Sequence, residues 1–237
     1  MVATYRPRIL SLCASAGGFD MGLHMAGFEV HATDIEDQPN NPFPFTRVDA
    51  LTVDLAGYDA YHGSPPCQGY TRLRHRSTKT HPMLIGALRD RFRTEAPGVP
   101  YVIENVEDAQ DFMEDPVRVC GSALGMRIRR HRLFETNWDL RGTDCQHKWQ
   151  ELHKPYKIYV GKSRTGGLGY RESGIQPIHG GNHNVGGNSH FMKSVAMGID
   201  WMTEHELNEA VPPAYGLYVG RQLMDEVLKR RERTTDG

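Results

Sequence analysis

Long apolar runs are missing from this 237-residue sequence. Nowhere does it hold the roughly 20 consecutive apolar residues that a membrane-spanning helix needs. The first twelve residues lack the basic, apolar and small-residue order of a secretory signal, so a cytoplasmic location is expected. Cysteine is scarce. Cys13, Cys67, Cys120 and Cys145 are the full set, and no two form a C-x-x-C pair. In a reducing compartment this excludes a disulfide framework and leaves each to be judged as a thiol. Internal repeats are absent, and so is a net excess of charge, at −1 overall.

The charge is nevertheless unevenly spread. Residues 1–63 carry a net −5, residues 72–93 a net +6, and residues 118–171 a net +8. Such polarity suits a polyanion on one side of the molecule and a neutral or cationic ligand on the other. A solvated helix face is the ordinary explanation of one basic run. Two runs that flank the motifs below ask for more.

The apolar fraction, 38%, fits a globular chain with one main domain and a small insert. Arg8–Cys13 reads as a strand that ends in the small-residue loop Ala14–Gly18. Phe19–Ala26 reads as a helix stopped by Gly27, and Phe28–Thr33 as a second strand ending at Asp34. Further strands are expected at Asp59–Gly63 and Val99–Ile103, with a basic helix at Met83–Thr94 between them. This alternation implies a mostly parallel sheet covered on both faces. From about Asn137 to Phe191 the chain turns rich in Gly, His, Asn, Lys and Tyr. That stretch is expected to be a separate insert of short strands and loops. Helical character returns from Ser194 to Asp225, broken by Pro212-Pro213.

Ligands of open parallel sheets bind beyond the carboxyl ends of the strands. The chemically notable residues fall there: the Ala14–Gly18 loop, Asp34, Asp49, Cys67 and Glu104. Gly17 and Gly18 would allow close backbone approach to a ligand. An acid at the position of Asp34 can accept both hydroxyls of a ribose, and Asp49 an adenine amino group. Cys67 sits in Ser64-Pro65-Pro66-Cys67-Gln68-Gly69-Tyr70-Thr71. The prolines fix its entry and Gly69 its exit, which holds the thiol on a stiff loop. The basic run Arg72 to Arg76 is expected to lower its pKa. Glu104, at the end of an apolar strand, reads as an acid in a partly desolvated pocket.

Together these residues resemble the DNA cytosine-5 methyltransferase family. Pro66-Cys67-Gln68 is similar to its nucleophile motif, Glu104-Asn105-Val106 to its Glu-Asn-Val motif, and Arg130-His131-Arg132 to its Arg-x-Arg motif. Leu12–Gly18 resembles its opening cofactor loop, and Asn208–Gly220 its last motif. The resemblance implies an α/β fold, a Rossmann-like class I methyltransferase sheet, formed by 1–136 and 192–237. It implies a small target-recognition domain at 137–191. The implied reaction is methyl transfer from S-adenosylmethionine, leaving S-adenosylhomocysteine, to C5 of a cytosine flipped out of duplex DNA. Cys67, Glu104, Arg132 and Arg130 are the implied catalytic set. Cys13, Ala14, Gly17, Gly18, Asp34, Ile35, Asp49, Ala50, Pro66, Glu209 and Ala210 are the implied cofactor contacts. Gln68, Arg72, Arg74, Arg76, Lys162 and Arg164 are the implied nucleic-acid contacts. A monomer from a restriction system, a phage or an orphan modification gene fits the resemblance.

Several positions depart from the family pattern. Cys13 stands where an aromatic is usual, Ser15 for a glycine, Asp34 for Glu, Ile35 for an aromatic, Ile128 for a glutamine, and Glu209 within the last motif. Thr71-Arg72 after the cysteine loop also resembles the tRNA-directed branch, although that branch's Cys-Phe-Thr element is absent: Gln146 follows Cys145. Transfer of a group other than methyl and a catalytically silent DNA-binding relative are the remaining alternatives. Cys145, His147 and His153 match no standard zinc spacing, so no metal is expected.

Overall fold

A computed structural model describes residues 5–71, 81–126, 128, 130–149, 157–158, 175–176 and 190–235. Strands β1 (Arg8–Leu12), β2 (Glu29–Asp34), β3 (Phe45–Arg47), β4 (Ala60–Gly63), β5 (Tyr101–Asn105), β6 (Val117–Cys120) and β7 (His131–Thr136) form one sheet. Its order is β3-β2-β1-β4-β5-β7-β6. The strands from β3 to β5 are parallel, while β7 runs antiparallel to both β5 and β6. The central strands β4 and β5 are buried along their whole length, as strands covered on both faces must be.

Helices α1 (Gly18–Met25), α2 (Ile85–Glu95), α3 (His190–Met197), α4 (Glu204–Glu209) and α5 (Pro213–Thr235) supply the covering layers. On one face α1 and α5 bury Phe19, Leu23, Tyr215, Val219 and Leu223. On the other, Leu88 and Phe92 of α2 pack on Tyr61 and Tyr101. The Phe92 ring lies 5.2 Å from Tyr61 and 5.3 Å from Tyr101. The α1–α5 crossing is close because glycines line it. A Cβ on Gly22 would stand 2.1 Å from the Pro213 carbonyl oxygen, and one on Gly216 2.0 Å from that of Phe19.

Two elements differ from the sequence expectation. The final helical stretch is three helices rather than two: residues 198–203 separate α3 from α4, with Gly198 at φ 67°, and α5 runs past Asp225 to Thr235. Pro213 opens α5 at a position that needs no backbone donor. The β6–β7 hairpin was not expected. Its inner strand is held to α2 by a buried ion pair, in which Arg89 donates through Nε and Nη2 to Glu135 at 2.6 Å each. In the 137–191 stretch, the described strands β8 (Lys157–Ile158) and β9 (Ile175–Gln176) form a parallel pair.

Candidate active site

The chain leaves β1 toward β2 on one side and enters β4 on the other, so the topology reverses between β1 and β4. Such a reversal opens a crevice at the carboxyl ends of the two strands. The loop after β1 is the Cys13–Gly17 segment, and the loop after β4 carries Cys67.

The Cys67 loop is anchored at several points. Ser64 donates its backbone N–H to the Leu12 carbonyl at 3.1 Å and its hydroxyl to Glu104 Oε2 at 2.6 Å. Asn105 Nδ2 donates to the Pro65 carbonyl at 2.9 Å. Cys67 itself opens a single 3₁₀ turn, Cys67–Gly69, entered from Pro66 at φ −49°. The end of β5 thus holds the cysteine loop directly, through two consecutive residues.

Glu104 is buried, and Arg132 on β7 reaches it: Nε lies 2.7 Å from Oε1, with both side chains less than a tenth exposed. The Nε–H does not align on that oxygen, which leaves Oε1 without a directed hydrogen bond. Arg130 Nη1 donates to the Ala210 carbonyl at 2.8 Å, while the Arg130 carbonyl accepts from Gly121 N and the Tyr215 hydroxyl. Burial and the neighbouring Arg132 push the Arg130 guanidinium down to about 9, so it stays charged at neutral pH. Cys67 feels the same three groups. Burial pushes its thiol up, Arg132 and Arg130 pull it back, and Glu104 adds to the rise. Cys67, Glu104, Arg132 and Arg130 therefore share one electrostatic neighbourhood.

This corrects the expected state of the cysteine: its pKa is raised, not lowered, because burial outweighs the cations. The cations that act on it come from the β7 side of the sheet. The expected source, Arg72, Arg74 and Arg76, lies outside the described residues, as do Lys162, Arg164 and His153.

On the β1 side, the loop is strained and tightly packed. Cys13 and Ser15 adopt φ 56° and 49°, the left-handed region that non-glycine residues rarely occupy. Ser15 N donates to Asp34 Oδ2 at 3.0 Å, and Glu36 N to Oδ1 at 3.1 Å. Each oxygen of Asp34 keeps a further lone pair for a ligand hydroxyl. Asp49 accepts Leu51 N at 2.8 Å. Both carboxylates act on Cys13, whose thiol burial drives up to about 12, so it stays neutral.

No family model and no curated protein sequence matches the chain. Solved structures do. An Escherichia coli prophage-encoded protein, named as a DNA modification methyltransferase, aligns at a TM-score of 0.59 and 14% identity, covering 94% of this chain and 99% of that one. The methyltransferase EhMeth of Entamoeba histolytica aligns at a TM-score of 0.54 and 13% identity, with the same coverage. The chain shares the fold of these methyltransferases. At such identities the likeness is one of architecture, and it reaches the antiparallel seventh strand of this methyltransferase-like sheet.

Within this methyltransferase-like fold, the remaining expected positions fall unevenly. At Gly17 and Gly18 the side-chain direction is already filled. A Cβ on Gly17 would meet the Asn41 side chain at 3.1 Å, and one on Gly18 the Val211 carbonyl oxygen at 2.5 Å. The small size of Gly17 lets the loop pack on Asn41, and that of Gly18 lets it pack on the chain's return segment at Ala210 and Val211. Ile35 is 62% exposed, Glu209 is exposed beside His205, and Gln68 is exposed. Ala50 is buried, and its carbonyl accepts from Arg91 Nη1 at 2.6 Å. Ala14 is partly buried, its N–H bonded to the Thr33 carbonyl at 3.0 Å. Sequence reasoning missed the anchors Ser64 and Asn105. It also missed a buried triad beneath the β1 loop, where the Ser11 hydroxyl bonds Asp20 at 2.6 Å and lies 2.8 Å from His62 Nδ1. Ser64 and Asn105 were visible as neighbours of the cysteine and the glutamate; Ser11, Asp20 and His62 gave no local signal.

Proposed function

We propose that this protein is an S-adenosylmethionine-dependent cytosine-5 methyltransferase that acts on duplex DNA through a covalent bond from Cys67. The observation that carries the reading is the convergence of the Cys67 thiol with Glu104 and the two arginines, on a loop that β5 holds in place.

Cytosine C5 is a weak nucleophile. Addition of the Cys67 thiolate to C6 makes C5 enamine-like, and later loss of the C5 proton expels the thiolate. Negative charge moves onto the ring during addition. Glu104, once it has taken the proton that the Cys67 thiol gives up, donates a hydrogen bond to N3, and Arg132 beside it supplies positive charge, which together offset it. The raised thiol pKa keeps Cys67 mostly protonated until the base arrives, which limits side reactions of a free thiolate. The base has to leave the duplex to reach this site.

S-adenosylmethionine, when bound, supplies an electrophilic methyl group. The residues of the β1–β4 crevice fit it: Asp34 can accept the ribose hydroxyls and Asp49 the adenine amine, beside Cys13 and Pro66. Residues 137–191, with Lys162 and Arg164, are proposed as the recognition domain, and Arg72, Arg74 and Arg76 as phosphate contacts. A domain of that size reads few base pairs, so a short recognition sequence is expected.

The test is radiolabel transfer from S-adenosylmethionine to duplex DNA and, in parallel, to tRNA. Label at cytosine C5 of duplex DNA, lost in Cys67→Ala, is expected. Label in tRNA alone would move the substrate to RNA. Label in neither would end the reading.

A further inference from the structure

Away from the Cys67 site, the β6–β7 hairpin brings together four side chains that the reaction does not use. Cys120 ends β6 and His131 begins β7, directly opposite each other in the antiparallel register. Cys145 and His147 arrive from the segment that follows β7. One donor atom from each lies within 4.8 Å of every other. His131 Nε2 is 3.2 Å from Cys145 Sγ, and His147 Nε2 is 3.3 Å from Cys120 Sγ.

We infer that Cys120, His131, Cys145 and His147 form a structural zinc site. Two thiolates and two imidazoles are a donor set that suits zinc rather than magnesium, calcium or manganese. With Zn–S near 2.3 Å and Zn–N near 2.0–2.1 Å, a tetrahedral centre has donor-to-donor distances of about 3.3–3.8 Å. The two nitrogen–sulfur separations, 3.2 and 3.3 Å, lie at or just below the short end of that range.

The surroundings fit the same role. His131 presents Nε2 to the cluster while its Nδ1 lies 2.9 Å from Glu107 Oε2, the carboxylate–histidine pairing that fixes the tautomer of a metal-bound imidazole. Ser122 Oγ lies 3.0 Å from Cys120 Sγ and accepts Gln146 N at 2.9 Å, so it ties the two ligand-bearing segments together. The segment is further clipped to β6 by Thr143, whose hydroxyl accepts Cys120 N at 2.8 Å and whose N–H donates to the Arg118 carbonyl at 3.1 Å. Four protein donors would complete the coordination of a tetrahedral zinc, so the site is closed and structural rather than catalytic. The metal would lock the root of the 137–191 stretch to β7 beside Arg130 and Arg132.

The sequence expectation of no metal weighed Cys145 and His147 with His153. The geometry replaces His153 by two residues from the hairpin.

Metal analysis of the purified full-length protein should find about one zinc per chain. Cobalt(II) added to the metal-depleted protein should give thiolate-to-cobalt charge-transfer absorption and the intense d–d bands of tetrahedral coordination. Cys120→Ser and His147→Ala should remove those bands. Glu107→Gln, which leaves all four ligands, should weaken zinc binding by roughly 10- to 100-fold. Wild-type protein without stoichiometric zinc and without tetrahedral cobalt bands would overturn the site. So would a Cys120–Cys145 disulfide in freshly purified protein.

Discussion

Replacing Arg132 by Met tests how the site is built. Arg132 and Glu104 are 8% and 5% exposed at their side chains, with Nε 2.7 Å from Oε1. Removing one partner of a buried pair leaves the other charge uncompensated, at a cost of about 3–5 kcal/mol. The Ser64 hydroxyl still bonds Oε2, which places the expected loss toward the lower end. For a chain of this size, 1 kcal/mol moves Tm by roughly 2–4 °C, so a fall of about 6–12 °C is expected. The double change Glu104→Gln with Arg132→Met buries no charge and should recover most of that loss. Thermal and urea unfolding of the two single variants and the double give the coupling directly. Methyl transfer should stay lost in the double variant, since stability and chemistry draw on the pair differently. A single Arg132→Met variant within about 1 kcal/mol of wild type would refute the buried pair. Full activity in the stable double variant would refute its part in the reaction.

Two further outcomes follow from the geometry. Gly216→Ala sets a methyl 2.0 Å from the Phe19 carbonyl oxygen, with backbone on both sides of the crossing. It should lower stability by at least the roughly 1–3 kcal/mol of ordinary overpacking, read as a fall in Tm. The Cys67 thiol, held above its usual value by burial, should be alkylated slowly at pH 7. Its rate should climb about tenfold per pH unit while the thiol remains mostly protonated, because the thiolate is the reacting form. Fast alkylation at pH 7 that does not change with pH would contradict the raised pKa.

Much of the frame was readable from local pattern. β1, β4 and β5 are apolar runs that end at small or acidic residues, and buried parallel strands leave that signature. The hairpin was not readable. His131-Arg132-Leu133-Phe134-Glu135-Thr136 begins with two residues that serve sites and carries a glutamate buried against Arg89, so its polarity hides a strand. The cysteine loop and its glutamate were legible because Pro66-Cys67-Gln68 and Glu104-Asn105 are short motifs. The charge that acts on the thiol was misplaced for a physical reason: Arg132 is 65 positions away in sequence and adjacent in space. The Gly17-Gly18 pair was read as allowing close backbone approach to a ligand; the packing of the loop on Asn41 and the Val211 carbonyl, which also asks for glycine there, had no local signal. The metal-type cluster has no spacing to read, since a ladder register and a returning loop assemble it.

Covalent trapping at Cys67 puts the most direct question to the mechanism. Duplex DNA carrying 5-fluorocytosine has no C5 proton to lose, so the adduct cannot be released. With S-adenosylmethionine present, a denaturation-stable complex should form, map to the peptide containing Cys67, and vanish in Cys67→Ala. Methyl transfer to unmodified DNA without any trapped species, or trapping that survives the loss of Cys67, would contradict it.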